Sequence, residues 1–389
     1  MNKSWQTKRL GDITTLVKGK KPKLFTKTNG KPYLTARVVR GTEVPDLVDN
    51  DCPLSVWVKP EDIVIIMDGS NSGEMFSGLD GALASTMGVI KFDKELLEPR
   101  YLYSFLVTHR ENFTKSRTGA AIPHLNKEGF ENLEIPTPPL SEQKKIVKMV
   151  DEAFEKIAKA KENAEKNLQN SKELFESYLH SIFQNTDDDW SSVELGEIAS
   201  FRNGLNFTKT SRGEKIKIVG VKDFQNHFLI PFENLEYVTI DGELNAFDQL
   251  KKGDILTVRS NGNPELIGRT LLAEDIVGKT SYSGFTIRIR PNQNVIYSAY
   301  LCHYLKSKVA RRSLVESGAG VNIKSLNQVA LSKLMIPSPQ SLTKQKELVE
   351  KINSLSEQTK KLEANYKQKI ADLDELKKSL LNKAFAGEL

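Results

Sequence analysis

Two long stretches of the chain carry apolar residues at alternating steps of mostly three and four, separated by Lys, Glu, Asn and Gln. This spacing predicts two long helices, over residues 141–185 and 341–389, each with a coiled-coil seam. The first seam is rich in Ala and the second in large residues, so the two would fill a shared core as an antiparallel pair. The predicted seam residues are Ile146, Val150, Ile157, Leu168 and Tyr178 in the first helix, and Leu348, Ile352, Leu355, Leu362, Tyr366, Leu373 and Leu380 in the second.

Antiparallel pairing would place the two preceding globular domains at opposite ends of the helices. The alternative is that each helix packs back on its own domain. We favour pairing because regular spacing over some six heptads exceeds what one docking face needs.

Short β-branched runs bounded by Gly, Asp and Ser predict strands before each helix. Proline cannot continue a strand ladder or a helix, so Ile135–Pro138 and Ile336–Pro339 each predict a stop. We therefore predict strand-rich domains over residues 1–140 and 186–340. The strand-like runs include Ile63–Ile66, Met87–Ile90, Lys215–Val219, Ile255–Val258 and Phe285–Ile289.

The second half of the chain repeats the first. Trp5 and the following Leu-Gly return as Trp190 and a second Leu-Gly, and the proline-rich stop returns in the same order. Such a chain can present two similar surfaces about an approximate two-fold axis, and divergence lets them read different targets. The predicted fold class is α+β: two strand-rich domains of similar fold, each followed by a long helix, with the helices paired as an antiparallel coiled coil and an internal pseudo-two-fold repeat.

Composition narrows the class of protein. Hydrophobic residues make up 39% and charged residues 27% of the 389 residues, and no run of about 18 apolar residues predicts a membrane span. The N-terminal residues lack the apolar core of a signal peptide, and the two cysteines lie in different repeats, so we expect a cytoplasmic protein. A net charge of +6 permits a polyanionic partner without requiring one.

The sequence gives no sign of catalysis by this chain. Its five histidines have no metal-ligand spacing, and no Walker loop or nucleophile elbow is present. We therefore predict no catalytic residue, metal site or cofactor in the chain. The segment Gly69–Gly73 could cradle a phosphate, and Asn261–Glu265 superficially resembles a loop of amino-methyltransferases, but a turn is favoured for both.

Polar loops next to apolar strands are the candidates for binding. Arg, Lys, Asn and Ser are side chains suited to phosphates and base edges, and a loop at the end of a rigid strand positions them well. The alternative is that the lysine run near residue 20 only keeps the surface soluble. The predicted DNA-binding residues are Lys18, Lys20, Lys21, Ser70, Asn71, Arg117, Lys127, Arg202, Asn203, Arg259, Asn261, Asn263 and Lys324.

Each proline-rich stop is followed by a helix start that contains Gln-Lys, at Glu142–Lys144 and at Lys344–Lys346, and Leu-Gly-Asp/Glu-Ile and Asp-Ile motifs occur in both halves. With these motifs the whole chain resembles the specificity subunit of type I restriction–modification systems. One departure is Lys344, which stands where the first copy has Glu142.

The resemblance implies that each domain reads one half of an asymmetric, bipartite site in double-stranded DNA, with the helices as spacer. It further implies two methyltransferase subunits that bring S-adenosylmethionine to an adenine in each half-site. A restriction subunit that uses ATP and Mg can join such a complex. None of that chemistry would belong to this chain.

Two other classes of protein stay open from the sequence. A stand-alone methyltransferase or nuclease would bind S-adenosylmethionine or a metal ion by itself. A coiled-coil adaptor with two protein-binding heads would show no preference among DNA sequences.

Overall fold

A computed structural model describes residues 5–115, 123–184, 188–225, 227–314 and 325–389. The chain divides into two compact units. The first unit comprises Met1–Glu165 and Gln368–Leu389, and the second comprises Lys166–Lys367. Among the described residues, no helix combines the length and apolar character that a membrane crossing requires.

The first unit contains one antiparallel sheet, one mixed sheet and a short strand pair. Strands pair in the order β2-β10-β7-β8 in one sheet and β3-β5-β4-β9-β6 in the other, while β1 pairs with β11. The strands are β1 Thr7–Arg9, β2 Thr14–Lys18, β3 Phe25–Thr26, β4 Lys31–Leu34, β5 Leu47–Val48, β6 Trp57–Val58, β7 Ile63–Ile66, β8 Met75–Phe76, β9 Gly81–Leu83, β10 Met87–Phe92 and β11 Glu134–Pro136. The helices are α1 Leu10–Ile13, α2 Ala36–Val39, α3 Pro99–Thr108, α4 Arg110–Lys115, α5 Lys127–Glu131 and α6 Leu140–Phe183, of which α6 continues into the second unit.

The second unit repeats this arrangement. Its main sheet has the order β13-β19-β16-β17, its second sheet the order β15-β14-β18, and β12 pairs with β20. The strands are β12 Trp190–Glu194, β13 Ala199–Asn203, β14 Lys215–Val219, β15 Glu236–Thr239, β16 Ile255–Val258, β17 Thr270–Leu272, β18 Thr280–Tyr282, β19 Thr286–Pro291 and β20 Met335–Pro339. The helices are α7 Leu195–Ile198, α8 Ser298–Lys306, α9 Lys308–Leu314, α10 Gln328–Ser332 and α11 Leu342–Ala386, of which α11 ends in the first unit.

The central strands β7 and β16 explain the unbroken apolar runs in the sequence. All four residues of each strand are buried, because one face packs on helices and the other on the second sheet. A strand covered on both faces needs apolar residues at successive positions rather than at alternate ones. The predicted internal repeat and mixed fold are thus confirmed.

The long helices pair antiparallel within each unit. In the first unit Ile146 of α6 shares a core with Leu381 and Ala384 of α11, and farther along α6 Lys161 pairs with Asp374 at 2.7 Å. Rising numbers on α6 therefore meet falling numbers on α11.

The second unit shows the same direction of pairing. Leu179 of α6 shares a core with Val349 and Ile352 of α11. The earlier residue Gln169 lines a cleft with Thr359. In both units the paired segments also pack on the globular core, so pairing and docking on the domain occur together.

The seam predicted for α6 agrees with burial, since Ile146, Val150 and Ile157 are buried and Leu168 and Tyr178 are half-buried. On α11, Ile352 is buried, but Leu362 is 39% exposed and lies at the edge of the seam. The seam prediction is therefore wrong at Leu362. The other predicted residues of α11 are half-buried, namely Leu348, Leu355, Tyr366, Leu373 and Leu380.

The error has a simple origin in the register of α11. Val349 is more deeply buried than Leu348, and Glu363 is more buried than Leu362. At these two positions the more deeply buried residue thus lies one position after the leucine. The apolar pattern of the sequence favours Leu348 and Leu362 as seam residues, whereas packing in the fold buries Val349 and Glu363 more deeply.

A buried glutamine fixes the start of α6. Gln143 is fully buried, and its Nε2 donates to the carbonyl oxygens of Leu96 at 2.9 Å and Pro138 at 2.8 Å. Its Oε1 accepts from the backbone N–H of Glu98 at 2.8 Å. These bonds tie the first turn of α6 to the proline-rich stop and to the start of α3.

Gln345 does the same at the start of α11. It is fully buried, accepts from the N–H of Tyr297 at 2.7 Å, and donates to the carbonyl oxygens of Val295 at 3.3 Å and Pro339 at 2.9 Å. The Gln-Lys of the sequence motif is thus a structural element in both units, and the Glu142-to-Lys344 difference beside it does not affect these bonds.

We expect Gln143→Met to lower the free energy of unfolding by about 1–3 kcal/mol, because the buried N–H of Glu98 and two carbonyls lose their partner. The measurement is denaturant unfolding followed by circular dichroism. The control is Gln169→Met, which removes only an exposed bond to Glu173 on the same helix. Equal stability of the two variants would contradict the structural role of Gln143.

We expect Ile352→Asp to lower the free energy of unfolding of the second unit by about 3–5 kcal/mol, because it places an unpaired charge in a fully buried position. Leu362→Asp, at the edge of the seam, should change it by less than about 1 kcal/mol. The same unfolding measurement tests both variants. If Leu362→Asp lowers the free energy of unfolding as much as Ile352→Asp does, Leu362 belongs to the seam after all.

Candidate nucleic-acid interface

In the first unit, β2 is followed by Gly19, which packs closely against the backbone at the end of β9. The N–H of Gly19 donates to the carbonyl oxygen of Met87 at 2.9 Å. A Cβ on Gly19 would lie 2.2 Å from the oxygen of Ala84 and 2.4 Å from that of Leu83, so no larger residue fits without movement of the backbone. Lys18, just before this glycine, is thereby held at the strand end.

The second unit uses Gly204 in the same way. Its N–H donates to the carbonyl oxygen of Thr286 at 3.1 Å, and a Cβ there would lie 2.2 Å from the oxygen of Ser283. Asn203 occupies the position that Lys18 has in the first unit. The two units therefore share the backbone frame at this point and differ in the side chain that it presents.

Three further segments join Lys18 at this end of the first unit. The N–H groups of Met67 and Asp68 both donate to the oxygen of Thr86, and Leu125 donates to the oxygen of Met67 at 2.8 Å. A bridge between Asp68 and His124 completes the junction. We call Lys18, Asp68, Thr86 and His124 the first strand-end cluster.

Asp68 holds the side chains of Lys18 and His124 in place. Its carboxylate lies 2.6 Å from Lys18 Nζ and 2.8 Å from His124 Nδ1. Burial acts to raise the pKa of Asp68, but the hydrogen bonds from Lys18 and His124 outweigh it and keep the pKa below its usual value. Asp68 is therefore ionised at neutral pH, while the side chains of Lys18 and His124 remain about half exposed.

The equivalent cluster of the second unit carries no carboxylate. Ser260 stands at the position of Asp68, and Gln328 Nε2 donates to Asn203 Oδ1 at 3.1 Å. Arg259 donates its N–H to Phe285 and accepts from Leu326 at 2.7 Å. We call Asn203, Arg259, Ser260, Phe285 and Gln328 the second strand-end cluster.

Arg202 and Arg259 of the second unit differ in whether the fold already provides a partner for the guanidinium group. The Nε of Arg259 is buried and has no hydrogen-bond partner among the described residues. The guanidinium of Arg202 instead pairs with the carboxylate of Asp248, which also raises the pKa of Arg202. The fold therefore already provides Arg202 with a partner of its own, which the sequence could not reveal.

Two sequence loops form turns. In the first unit the N–H groups of Gly69, Ser72 and Gly73 already donate to carbonyl oxygens, which leaves little backbone to cradle a phosphate. In the second unit Asn261 Oδ1 accepts from the N–H of Asn263, and Asn263 Oδ1 accepts from that of Glu265. The acceptor atoms of both asparagines thus stabilise their own loop.

The remaining predicted residues are spread around these clusters. Lys20, Lys21 and Ser70 are exposed, Asn71 is half-buried, and Lys127 pairs with Glu131 at 3.4 Å on α5. Arg117 and Lys324 lie outside the described residues. Thr86, His124, Phe285 and Gln328 were not among the predicted residues, since only the folded backbone brings them to the strand ends. In the described part of the chain, no group of three His, Cys, Asp or Glu side chains is placed to hold a metal ion.

The family model of the type I restriction modification DNA specificity domain matches residues 2–167 and 187–372. The chain belongs to this family. The two matched segments correspond to the two halves of the sequence repeat, and the resemblance inferred from the sequence is confirmed. The chain is accordingly a DNA sequence-recognition subunit of the type I restriction–modification class.

Relatives and solved structures extend over nearly the whole chain. The type I restriction enzyme MjaVIII specificity subunit of Methanocaldococcus jannaschii is 28% identical, with 99% of this chain and 93% of the relative covered. The EcoBI specificity subunit of Escherichia coli is 23% identical, with 99% and 86% covered.

Among solved structures, a chain from a study of complex assembly and conformational transition of the type I R-M system has a TM-score of 0.76 at 19% identity, covering 99% of this chain and 98% of that one. The HsdS subunit from Thermoanaerobacter tengcongensis has a TM-score of 0.64 at 19% identity, covering 99% and 97%. These structures share the fold of this chain.

We expect Gly204→Ala to lower the stability of the second unit by about 1–3 kcal/mol, because the new methyl group collides with backbone oxygens. The matched control is Gly262→Ala, where a Cβ meets nothing within 4 Å. Thermal unfolding of the two variants tests the expectation. If both unfold at the wild-type temperature, the crossing of the strands can adjust and Gly204 is not required.

Proposed function

We propose that each unit of this chain reads one half of an asymmetric, bipartite site in double-stranded DNA, and that the strand-end clusters take part in reading it. The observation that carries the proposal is the pairing of one backbone frame with two different sets of side chains. A frame repeated without divergence would suit two identical half-sites, as a symmetric dimer does.

The chemistry of the two clusters supports different readings. In the first cluster, the ammonium group of Lys18 presents N–H donors that suit phosphate oxygens and the O6 and N7 atoms of guanine, beside the imidazole ring of His124. In the second cluster, Asn203 and Gln328 present amides, which pair well with the N6 and N7 atoms of adenine. Arg259 adds a guanidinium, the group that most often contacts guanine.

We further propose a role for each segment of the chain and for its partner subunits. Residues 1–140 and 186–340 serve as target-recognition domains and the helices over 141–185 and 341–389 as the spacer that also binds partners. The chain itself performs no catalysis and works in the cytoplasm. Two methyltransferase subunits bind S-adenosylmethionine, and a restriction subunit that uses ATP and Mg can assemble with them.

The test exchanges residues 190–335 for the corresponding part of a relative that works with the same methyltransferase subunits. We expect the methylated site to change in one half only, because the first unit and its cluster are untouched. Methylation-sensitive sequencing of the host genome identifies the site before and after the exchange.

The matched control exchanges residues 5–135 and should change the other half. A change in both halves after a single exchange would contradict the assignment of one half to each unit. If the wild-type complex shows no preference among DNA sequences, this chain does not read DNA, and an adaptor with two protein-binding heads is favoured.

A further inference from the structure

The second strand-end cluster contains a rigid turn at Ser283–Thr286. The N–H of Thr286 donates to the oxygen of Ser283 at 2.9 Å and closes the turn, and its hydroxyl donates to the same oxygen at 2.8 Å. The carbonyl oxygen of Phe285 accepts from the N–H of Arg259 at 2.9 Å and from that of Ser260 at 3.4 Å. The turn is therefore fixed to the loop that follows β16.

The other side of the turn is fixed as well. The N–H of Gly284 donates to the oxygen of Leu205 at 2.7 Å, and a Cβ on Gly284 would lie 2.1 Å from Asn206 Oδ1. The turn is thus held between the segment after β13 and the loop after β16. The backbone of Phe285 has little freedom to withdraw its side chain.

Phe285 nevertheless remains 61% exposed. Single exposed apolar side chains are common on protein surfaces and need no explanation by themselves. Phe285 differs because its backbone is bound on both sides and because its neighbours in the cluster, Asn203 and Arg259, are side chains that suit base edges. A fixed apolar group among base-reading donors is positioned to contact DNA.

The first unit has the same turn with a different residue at its tip. The N–H of Met87 donates to the oxygen of Ala84 at 3.0 Å, and the oxygen of Thr86 accepts from Met67 at 2.9 Å and from Asp68 at 3.1 Å. Thr86 is exposed and occupies the position of Phe285. Threonine through its methyl group and phenylalanine through its ring can both make apolar contact with the methyl group of thymine.

We propose that Phe285 contacts the C5-methyl group of a thymine in the half-site read by the second unit, with Thr86 at the equivalent reading position of the first unit. This inference rests on the proposed function. In the major groove this methyl group distinguishes thymine from every other base.

The test uses the chain assembled with its methyltransferase subunits and a duplex that carries the site found by methylation sequencing. Each thymine of the second unit's half-site is replaced in turn by deoxyuridine, which lacks only the methyl group. We expect one replacement to weaken wild-type binding about fourfold, equivalent to about 0.8 kcal/mol for one methyl group. Phe285→Ala should make binding insensitive to that replacement, while Phe285→Leu should keep most of the sensitivity.

The control variant is Phe247→Ala, at another exposed phenylalanine of the second unit, which should keep the fourfold effect. The inference is overturned if no thymine shows the effect with the wild type, or if Phe285→Ala shows it undiminished. In either case, intact preference for the site leaves the proposed function standing. A wild-type complex without any sequence preference would overturn both.

Discussion

The hydrogen bonds of one buried glutamine in each unit join the parts of the fold on which recognition depends. Gln143 and Gln345 each hold a proline-rich stop, the start of a short helix and the first turn of a long helix. A side-chain amide suits this junction because it donates and accepts at once, and buried backbone groups need both kinds of partner. Each long helix therefore leaves its globular core in a fixed direction, and burial of its seam follows from that direction.

Beyond this junction, the two units share backbone hydrogen bonds at equivalent positions but differ in their side chains. The Asp-Ile motif shows where preservation ends. Asp254 is almost fully buried and makes paired bonds of 2.6 and 2.7 Å to Arg290, whereas Asp62 in the first unit meets Lys91 in a more exposed pair. Both carboxylates also accept a backbone N–H of the preceding turn, so the turn is common while the strength of the ion pair differs.

The sequence predicted the repeat, the mixed fold and the seam of the first helix, because periodic burial leaves a periodic pattern in the chain. It misplaced Leu362, because a helix face that is only partly apolar can still be the face that packs. For the candidate site, it pointed to Lys18 through a run of lysines, to Asn203 through the repeat and to Arg259 through its place after a strand, and these remain predictions. It gave no sign that Thr86, His124 and Phe285 lie at the strand ends, because their position depends on contacts between loops that are distant in the chain.

The hydrogen-bonded backbone of each strand-end cluster and the exposed residues at the tips of its turns differ in how readily they tolerate substitution. Replacing an exposed tip residue such as Thr86 changes the free energy of unfolding by a few tenths of a kcal/mol, whereas a change at Gly19 or Gln143 acts on buried backbone contacts and costs several times more. Substitutions at the tips can therefore accumulate without loss of the fold. Since the two units carry separate frames, a change of side chains in one need not disturb the other, and the DNA reading that we propose for each unit can change independently.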